Sequence, residues 1–196
     1  MTIIAIGDIH GRTYWKQIIS KAKFDKVVFI GDYFDAYKDI TPEQQKSNFE
    51  DIIKFKKEYL DKVVLLFGNH DYHYLKTVEE TYSGFQMCHK TDIAEMLHKA
   101  IDEDLIQMCY IHNKYLFSHA GVTKTWLKNT GYIDDQLDLY INDLFKYKPL
   151  AFKFTKGENQ SSYGDDICQS PNFDVISLQH KKLMTGRKFI ELVSKI

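Results

Sequence analysis

Three short apolar runs, rich in β-branched residues, organise the first third of the chain at positions 2–6, 27–30 and 63–67. Uninterrupted apolar runs of this length are typical of strands buried on both faces of a parallel sheet. Each run is followed directly by a glycine. The pattern therefore predicts three buried strands, each leading into a loop that starts at glycine.

Residues at helical spacing fill the two gaps between these runs. The first predicted helix follows Thr13, a suitable N-cap, and its apolar face carries Trp15, Ile18, Ile19 and Ala22. The second opens with a capping box of Thr41 and Gln44 and with Pro42 at the first helical position. Its apolar stripe is Phe49, Ile52, Ile53 and Leu60. Alternating strands and helices predict an α/β fold with a parallel sheet, whose ligands bind beyond the carboxyl ends of the strands.

The second half of the chain is less regular. The spacing predicts a helix over 91–100, strands over 106–111 and 114–117 joined as a hairpin near His112 and Asn113, and a helix over 134–145. Periodicity fades from Tyr147 onwards. Because no repeat or interdomain linker interrupts the chain, we expect one domain over residues 1–196.

Composition narrows the choice of partners. The 44% hydrophobic and 27% charged fractions are ordinary for a soluble globular protein. A net charge of −1 provides no excess of positive charge that would indicate binding to nucleic acid. Arginine occurs only at Arg12 and Arg187. Cys88, Cys109 and Cys168 form no CxxC pair, and no apolar run approaches membrane length. The opening apolar run is too short and its start too uncharged for a signal peptide, so we expect none. We expect a cytoplasmic protein without a membrane partner.

Four polar motifs carry the candidate chemistry. They are Gly7-Asp8-Ile9-His10-Gly11, Gly31-Asp32-Tyr33-Phe34-Asp35, Gly68-Asn69-His70-Asp71 and Ser118-His119-Ala120-Gly121. Taken singly, each matches an ordinary turn or strand end. Their order, with the first three at the ends of three predicted strands, indicates instead that distant residues meet at one edge of a sheet.

The side chains in these motifs are typical ligands of divalent metals. Asp8 and His10 are spaced to converge on one ion, and Asp32 has two carboxylate oxygens with which to bridge two ions. Asn69 offers an amide oxygen and His119 a further nitrogen. This mixed oxygen and nitrogen set favours two ions of Mn²⁺, Fe or Zn²⁺, with Mn²⁺ preferred, and two such ions can activate a hydroxide for attack on a phosphate.

Other motif residues are candidates for proton transfer and substrate binding. His70 follows Asn69 and is predicted to act as general acid, with Asp35 as its hydrogen-bond partner and Asp71 as an alternative partner. Arg12 lies where a helix begins and could contact phosphate, although a solvent-facing role is the simpler interpretation. We predict surface positions without a role for the histidines outside the motifs: His73, His89, His98 and His112.

These four motifs resemble those of the calcineurin-like metallophosphoesterase superfamily, especially its bacterial and phage serine/threonine phosphatase and diadenosine tetraphosphatase branch. The resemblance covers roughly the first two-thirds of the chain. It implies a two-sheet α/β sandwich flanked by helices. It also implies one metal held by Asp8, His10 and Asp32, a second held by Asp32, Asn69 and His119, and an acid dyad of His70 and Asp35.

The chain departs from that family pattern in three places. Ala36 and Tyr37 follow Asp35, where the phosphatase branch has a phosphate-gripping arginine. After Gln169-Ser170-Pro171 the family pattern is lost, which suggests a truncated or frameshifted end or a lineage-specific tail from about residue 172. His180 is the last histidine, and it is not preceded by the glycine of the family's final ligand motif.

The sequence supports two functional hypotheses. The first is a metal-dependent phosphoesterase that hydrolyses a phosphoprotein, a nucleotide or a dinucleoside polyphosphate by means of the dinuclear site and the histidine acid. The second is a catalytically impaired relative that binds metal or a phosphorylated ligand without turnover. The departures favour the second hypothesis, whereas the intact pair of His70 and Asp35 favours the first.

Overall fold

The computed structural model describes residues 1–37, 39–75, 81–133, 136–152 and 182–184. Two compact units divide the chain, Met1–Gln107 and Met108–Ile196. The first contains a parallel sheet in the order β1 (Ile3–Ile6), β2 (Lys26–Phe29), β3 (Val63–Leu66) and β4 (Ile106–Gln107). The predicted parallel sheet with interleaved helices is therefore confirmed.

The register of the first sheet aligns the strand ends that precede the motifs. Ile6 of β1 pairs with Phe29 of β2, which pairs with Leu65 of β3. Because these strands are parallel, their carboxyl ends lie at the same edge of the sheet. The loops that follow, with the first three motifs, consequently start from one edge.

Four helices accompany this sheet: α1 (Tyr14–Lys21), α2 (Pro42–Glu58), α3 (Asn69–Tyr72) and α4 (Lys90–Asp102). The capping box at the start of α2 is confirmed, since Thr41 and Gln44 exchange side-chain hydrogen bonds with each other's backbone N–H. Thr13 lies at the N-cap of α1 but makes no side-chain capping bond. Ala22 and Leu60 were predicted on apolar faces and are exposed, because both helices end before them.

The core of the first unit consists of the strands and the inner helix faces. All four residues of β3 are buried, and Phe49 and Ile52 of α2 are almost fully buried. The ring of Trp15 in α1 packs edge-on against Phe29 of β2, with 5.5 Å between centroids. Burial on both faces explains why these strands read as continuous apolar runs.

The second unit contains a sheet in the order β5 (Cys109–His112), β6 (Tyr115–Ser118) and β7 (Lys182–Met184), with helices α5 (Lys124–Thr130) and α6 (Leu137–Tyr147). The predicted hairpin is confirmed, since β5 and β6 are antiparallel and Asn113 takes a left-handed φ of 52° in the turn. Strand β7 runs parallel to β6.

Two expectations for this half were wrong in detail. The strand predicted over 106–111 is two strands, β4 and β5, which belong to different sheets. Helix α5 was not predicted, although Thr123 caps its start and Gly131 ends it in the left-handed conformation, signals that were present in the sequence. Of the atypical tail from about residue 172, the structure describes only β7, and both Pro171 and His180 lie outside the described residues.

The fold class is confirmed as mixed α/β, with a parallel sheet, a second sheet built on an antiparallel pair, and helices in both units. The interpretation of residues 1–196 as one domain stays a prediction. Within the part of the chain that the structure describes, no helix combines the length and apolar character needed to cross a membrane.

Candidate metal and acid site

Four of the predicted site residues have strained backbone conformations. Asp8, His10, Asp32 and Asp35 have φ angles of 51°, 43°, 58° and 61°, in the left-handed region that favours glycine. They lie in the loops that follow β1 and β2. A residue held in a sparsely populated backbone region costs about 1–3 kcal/mol and persists only where its surroundings fix it. Such a cluster at the carboxyl edge of a parallel sheet marks a candidate functional site.

Asp71 connects the loop after β2 with the loop after β3. Its Oδ2 accepts hydrogen bonds from the backbone N–H of Asp32 at 2.8 Å and of Gly68 at 2.9 Å, and its Oδ1 accepts from Tyr33 N–H at 2.7 Å. The side chain is fully buried. The sequence offers Asp71 as an alternative partner for His70, but the Asp71 oxygens accept from backbone N–H groups and link the loop after β2 to the loop after β3.

Glycine is required where these two loops touch. A β-carbon at Gly68 would lie 2.2 Å from Asp32 Oδ1, and one at Gly31 would lie 2.3 Å from the nitrogen of Gly68. Gly31 also has a φ of 81°. The loops that start at Gly31 and Gly68 therefore pack closely against each other, and they bring the backbone N–H of His70 within 3.0 Å of Asp32 Oδ1.

His10 is oriented as a metal ligand requires. Its Nδ1 lies 2.6 Å from the carbonyl oxygen of Phe34, so Nδ1 carries the proton and donates it there. The unprotonated Nε2 then lies 3.6 Å from Asp32 Oδ2. A second hydrogen bond that fixes the tautomer in this way is typical of metal-ligating histidines. His10 and Asp32 thus present a nitrogen and a carboxylate oxygen to one place, so the residues present fit a divalent cation.

The remaining predicted ligands have different settings. Asp8 is half-buried, and Asn69 is buried at the first position of α3. His119 is half-buried and follows β6 in the second unit, and its role as a ligand stays a prediction. Arg12 is exposed, and its guanidinium donates to the backbone oxygen of Asp8 at 3.3 Å. That contact directs Arg12 toward the loop after β1.

His70 and Asp35 are in direct contact. His70 Nδ1 donates to Asp35 Oδ2 at 2.9 Å, and the carboxylate is fully buried. Burial alone would lower the pKa of His70, but the hydrogen bond to Asp35 and the charges of Asp32, Asp35 and Asp71 outweigh burial and raise the pKa above its usual value. The arrangement favours a protonated imidazole whose Nε2 is directed away from Asp35.

His73 corrects one expectation from the sequence. We predicted a surface position, but its side chain is fully buried and its Nε2 lies 2.8 Å from Asp35 Oδ2. Tyr74 and Gln86 reach the other oxygen of the same carboxylate, at 2.5 Å and 3.2 Å. The spacing of His70 and His73, three residues apart on one helical turn, was a signal for His73. Nothing in the sequence pointed to Gln86, which lies far along the chain.

Tyr37 is a second residue to which the sequence assigned no role in the site. Its ring is 60% exposed, and its centroid lies 5.8 Å from that of His10 and 6.3 Å from that of His70. The hydroxyl lies 2.9 Å from Ser83 Oγ. An exposed aromatic ring therefore borders the two histidines, near the position where the family's phosphatase branch carries arginine.

The other histidines predicted at the surface, His89, His98 and His112, are half-buried.

A family model described as calcineurin-like phosphoesterase matches residues 1–180 of this chain. The chain belongs to that family. Its candidate site lies at the carboxyl edge of the parallel sheet, and its carboxylate and imidazole clusters could hold divalent metal. The resemblance drawn from the four motifs is thereby confirmed.

Individual relatives of this calcineurin-like phosphoesterase are distant. A symmetrical bis(5'-nucleosyl)-tetraphosphatase from Nitrosospira multiformis is 24% identical over 138 residues, covering 64% of this chain and 46% of the relative. The chain thus spans about half the length of that curated relative.

Solved structures give a likeness in fold. A mutant of a cold-active protein tyrosine phosphatase matches with a TM-score of 0.53 and 18% identity, over 98% of this chain and 62% of the other. A protein serine/threonine phosphatase from Saccharomyces cerevisiae matches with a TM-score of 0.45 and 20% identity, over 67% of this chain and 42% of the other. At these identities the first likeness shows a shared α/β fold, and the second adds no argument.

Proposed function

We propose that this chain is a metal-dependent phosphoesterase that hydrolyses phosphate esters. The observation that carries the proposal is the neighbouring pair of clusters at one sheet edge. His10 and Asp32 present a nitrogen and an oxygen 3.6 Å apart, and His70 beside them donates to a buried Asp35. Metal ligands next to a held imidazolium suit hydrolysis of a P–O bond better than simple metal storage, which needs no proton donor.

We assign Asp8, His10 and Asp32 to one divalent ion, which we expect to be Mn²⁺. The sequence resemblance adds a second ion, held by Asp32, Asn69 and His119. When bound, the ions would supply charge that polarises the phosphoryl group and activates water for attack. The left-handed loops that carry Asp8, His10 and Asp32 support this assignment from the side of the protein.

We assign His70 as the general acid. Its Nδ1 proton is engaged by Asp35, so Nε2 is the atom that would protonate the leaving oxygen. Asp35 holds the ring and stabilises its positive charge. General acid catalysis of this kind typically contributes ~10²–10⁴-fold in rate. Arg12, tethered near Asp8, is the proposed contact for a phosphoryl oxygen.

A nucleotide-derived substrate is the first choice within the phosphoester class. The Nitrosospira multiformis relative is a bis(5'-nucleosyl)-tetraphosphatase by name. The exposed ring of Tyr37 beside His10 and His70 adds an aromatic surface on which a nucleobase could stack. A phosphoprotein substrate remains the alternative within the same chemistry.

The second candidate is that this chain is a catalytically impaired member of the family. Ala36 and Tyr37 stand where the phosphatase branch has its arginine, so one grip on phosphate is absent at this position. Such a protein would bind metal or a phosphorylated ligand without turnover.

One experiment separates the two candidates. Wild type and Asp32→Asn are loaded with Mn²⁺, their metal content is measured, and hydrolysis of p-nitrophenyl phosphate, a dinucleoside tetraphosphate and a phosphopeptide is followed. Turnover by wild type that Asp32→Asn loses supports the enzyme. Stoichiometric metal in wild type without turnover of any of these substrates would leave the impaired relative.

A further inference from the structure

Asp35 is contacted by a second histidine as closely as by His70. Its Oδ2 lies 2.9 Å from His70 Nδ1 and 2.8 Å from His73 Nε2. The side chains of Asp35 and His73 are both completely shielded from solvent. One carboxylate oxygen therefore lies between two imidazole rings, only one of which has a role in the proposed reaction.

The protonation of His73 follows from its other contact. The backbone N–H of Tyr82 donates to His73 Nδ1 at 2.9 Å, so Nδ1 is an acceptor and the proton of the neutral ring resides on Nε2. Nε2 lies 2.8 Å from Asp35 Oδ2, in close contact but outside the geometry of a regular hydrogen bond. The ring packs edge-on against Tyr74 and Phe85, with centroids 4.4 Å and 4.8 Å away. His73 is thus fixed in place and in tautomer before any substrate binds.

The other carboxylate oxygen of Asp35, Oδ1, accepts hydrogen bonds from residues close to His73 in the first unit. Oδ1 accepts from the hydroxyl of Tyr74 and from the side-chain amide of Gln86, and the backbone N–H of Gln86 in turn donates to the Tyr74 hydroxyl. Burial alone would raise the pKa of Asp35, but the hydrogen bonds from His70 and Tyr74 and the close approach of His73 outweigh burial and lower it. A buried carboxylate stays charged only when donors satisfy it in this way.

Asp35 needs these contacts because its own backbone has a strained conformation. It has a φ of 61° in the loop after β2. A carboxylate on a strained loop with a single partner would be free to turn about its terminal bond. Contacts from His73 and Tyr74 fix the plane of the carboxylate relative to the ring of His70.

We propose that His73 is a positioning residue for the general acid, holding Asp35 so that His70 presents Nε2 to the leaving oxygen. The inference rests on the proposed phosphoesterase function. It assigns no contact with substrate or metal to His73. His73 acts through Asp35 on the orientation of His70, which must be close to the productive geometry for proton transfer.

Two substitutions divide the contacts of His73. In His73→Asn, the short amide can still accept from Tyr82 N–H but does not reach Asp35. In His73→Gln, the longer amide carries a donor to the place of Nε2. His98→Asn is the matched control, because it makes the same change in a half-buried histidine of α4 outside the Asp35 cluster.

The readout is the dependence of kcat/KM on the leaving group, across aryl and alkyl phosphates in the presence of Mn²⁺. We expect His73→Asn to lose ~10-fold or more with alkyl leaving groups, a part of the general-acid contribution, and little with p-nitrophenyl phosphate. His73→Gln should recover most of that loss, and His98→Asn should match wild type. Thermal unfolding and bound metal are measured on every variant.

Each outcome decides the matter. An unchanged leaving-group dependence in a folded, metal-loaded His73→Asn overturns the positioning role while leaving the proposed function intact. An equal loss with all substrates, or a loss that His73→Gln fails to recover, shows that His73 only supports the fold. Should His73→Asn fail to fold, Tyr74→Phe, which removes one donor to Oδ1, is expected to steepen the same dependence, and its failure to do so overturns the inference. No turnover by wild type overturns the proposed function itself.

Discussion

At the scale of single residues, the site contains left-handed backbone conformations that aspartate and histidine adopt only rarely. Asp8, His10, Asp32 and Asp35 are all left-handed. The backbone N–H of His10 donates to Asp32 O, and that of Asp32 donates to Asp71 Oδ2. The motifs in the sequence predicted which residue types meet. They could not reveal the bracing by Asp71 or His73, because those contacts join loops that only the folded sheet brings together.

Asp32 is expected to be the most sensitive single position. Asp32→Asn keeps the size of the side chain but removes the charge that the proposed bridge between two ions requires, so bound metal and activity should fall together. Metal content by mass spectrometry and turnover of p-nitrophenyl phosphate measure the two effects. Asp104→Asn is the matched control, since Asp104 is also left-handed, with a φ of 52°, but is exposed. Full metal occupancy with normal turnover in Asp32→Asn would show the assignment to be wrong.

His70→Ala is expected to leave metal in place and to slow the chemistry. The deficit should approach ~10²–10⁴-fold for alkyl phosphates, which need a protonated leaving group. It should shrink for p-nitrophenyl phosphate, whose leaving group departs as an anion. Comparing kcat/KM for the two substrate types tests the general-acid role, and equal damage to both would contradict it.

At the scale of elements, contacts between near neighbours could be predicted from the sequence, whereas contacts that depend on the tertiary fold could not. The capping box of Thr41 and Gln44 was predictable because it is a contact between near neighbours. The division of 106–111 into two strands was not, since β4 and β5 differ in the sheet they join and not in their apolar pattern. The burial of His73 likewise depends on the chain around Tyr82 and Phe85 folding over it.

Removing the cap of α2 should affect stability without affecting chemistry. Thr41→Ala loses the hydrogen bond to Gln44 N–H, and such caps are worth ~1 kcal/mol. We expect urea denaturation to show a drop of that size in the free energy of unfolding. Thr41→Ser, which keeps the hydroxyl, is the control and should unfold like wild type. A change in kcat/KM for Thr41→Ala would mean that α2 is coupled to the site.

Asp71 gives a contrasting case, in which one side chain links two loops. Asp71→Asn replaces one accepting oxygen by an amide, so at least one buried backbone N–H of Asp32, Tyr33 or Gly68 loses its partner. An unsatisfied buried group costs ~1–3 kcal/mol. We expect a lower free energy of unfolding together with weaker metal binding, measured by urea denaturation and calorimetric titration. A loss of stability without any change in metal affinity would show that the loops keep their geometry without this brace.

At the scale of the whole molecule, the fold class followed from the strand and helix pattern, whereas the division into two compact units did not. The same β-branched runs that mark buried strands do not state where one unit ends. The predicted contribution of His119 is the part of the site that metal titration must decide, and His180 is not among the predicted ligands. Replacing His119 by alanine is expected to weaken one of two metal-binding events, and replacing His180 is expected to change neither.

Metal binding should also stabilise the molecule as a whole. A ligand that binds only the folded state adds RT ln(1 + [L]/Kd), or ~2.7 kcal/mol at a hundredfold excess over Kd. Because the loops after β1 and β2 bring the carboxylates of Asp8 and Asp32 to one edge of the sheet, the metal would offset the negative charge there. We expect Mn²⁺ to raise the thermal unfolding temperature of wild type, with the rise growing as its concentration increases. The same titration of Asp32→Asn should give little or no rise, while Asp104→Asn should behave as wild type. Equal stabilisation of Asp32→Asn and wild type would place the bound metal away from this site.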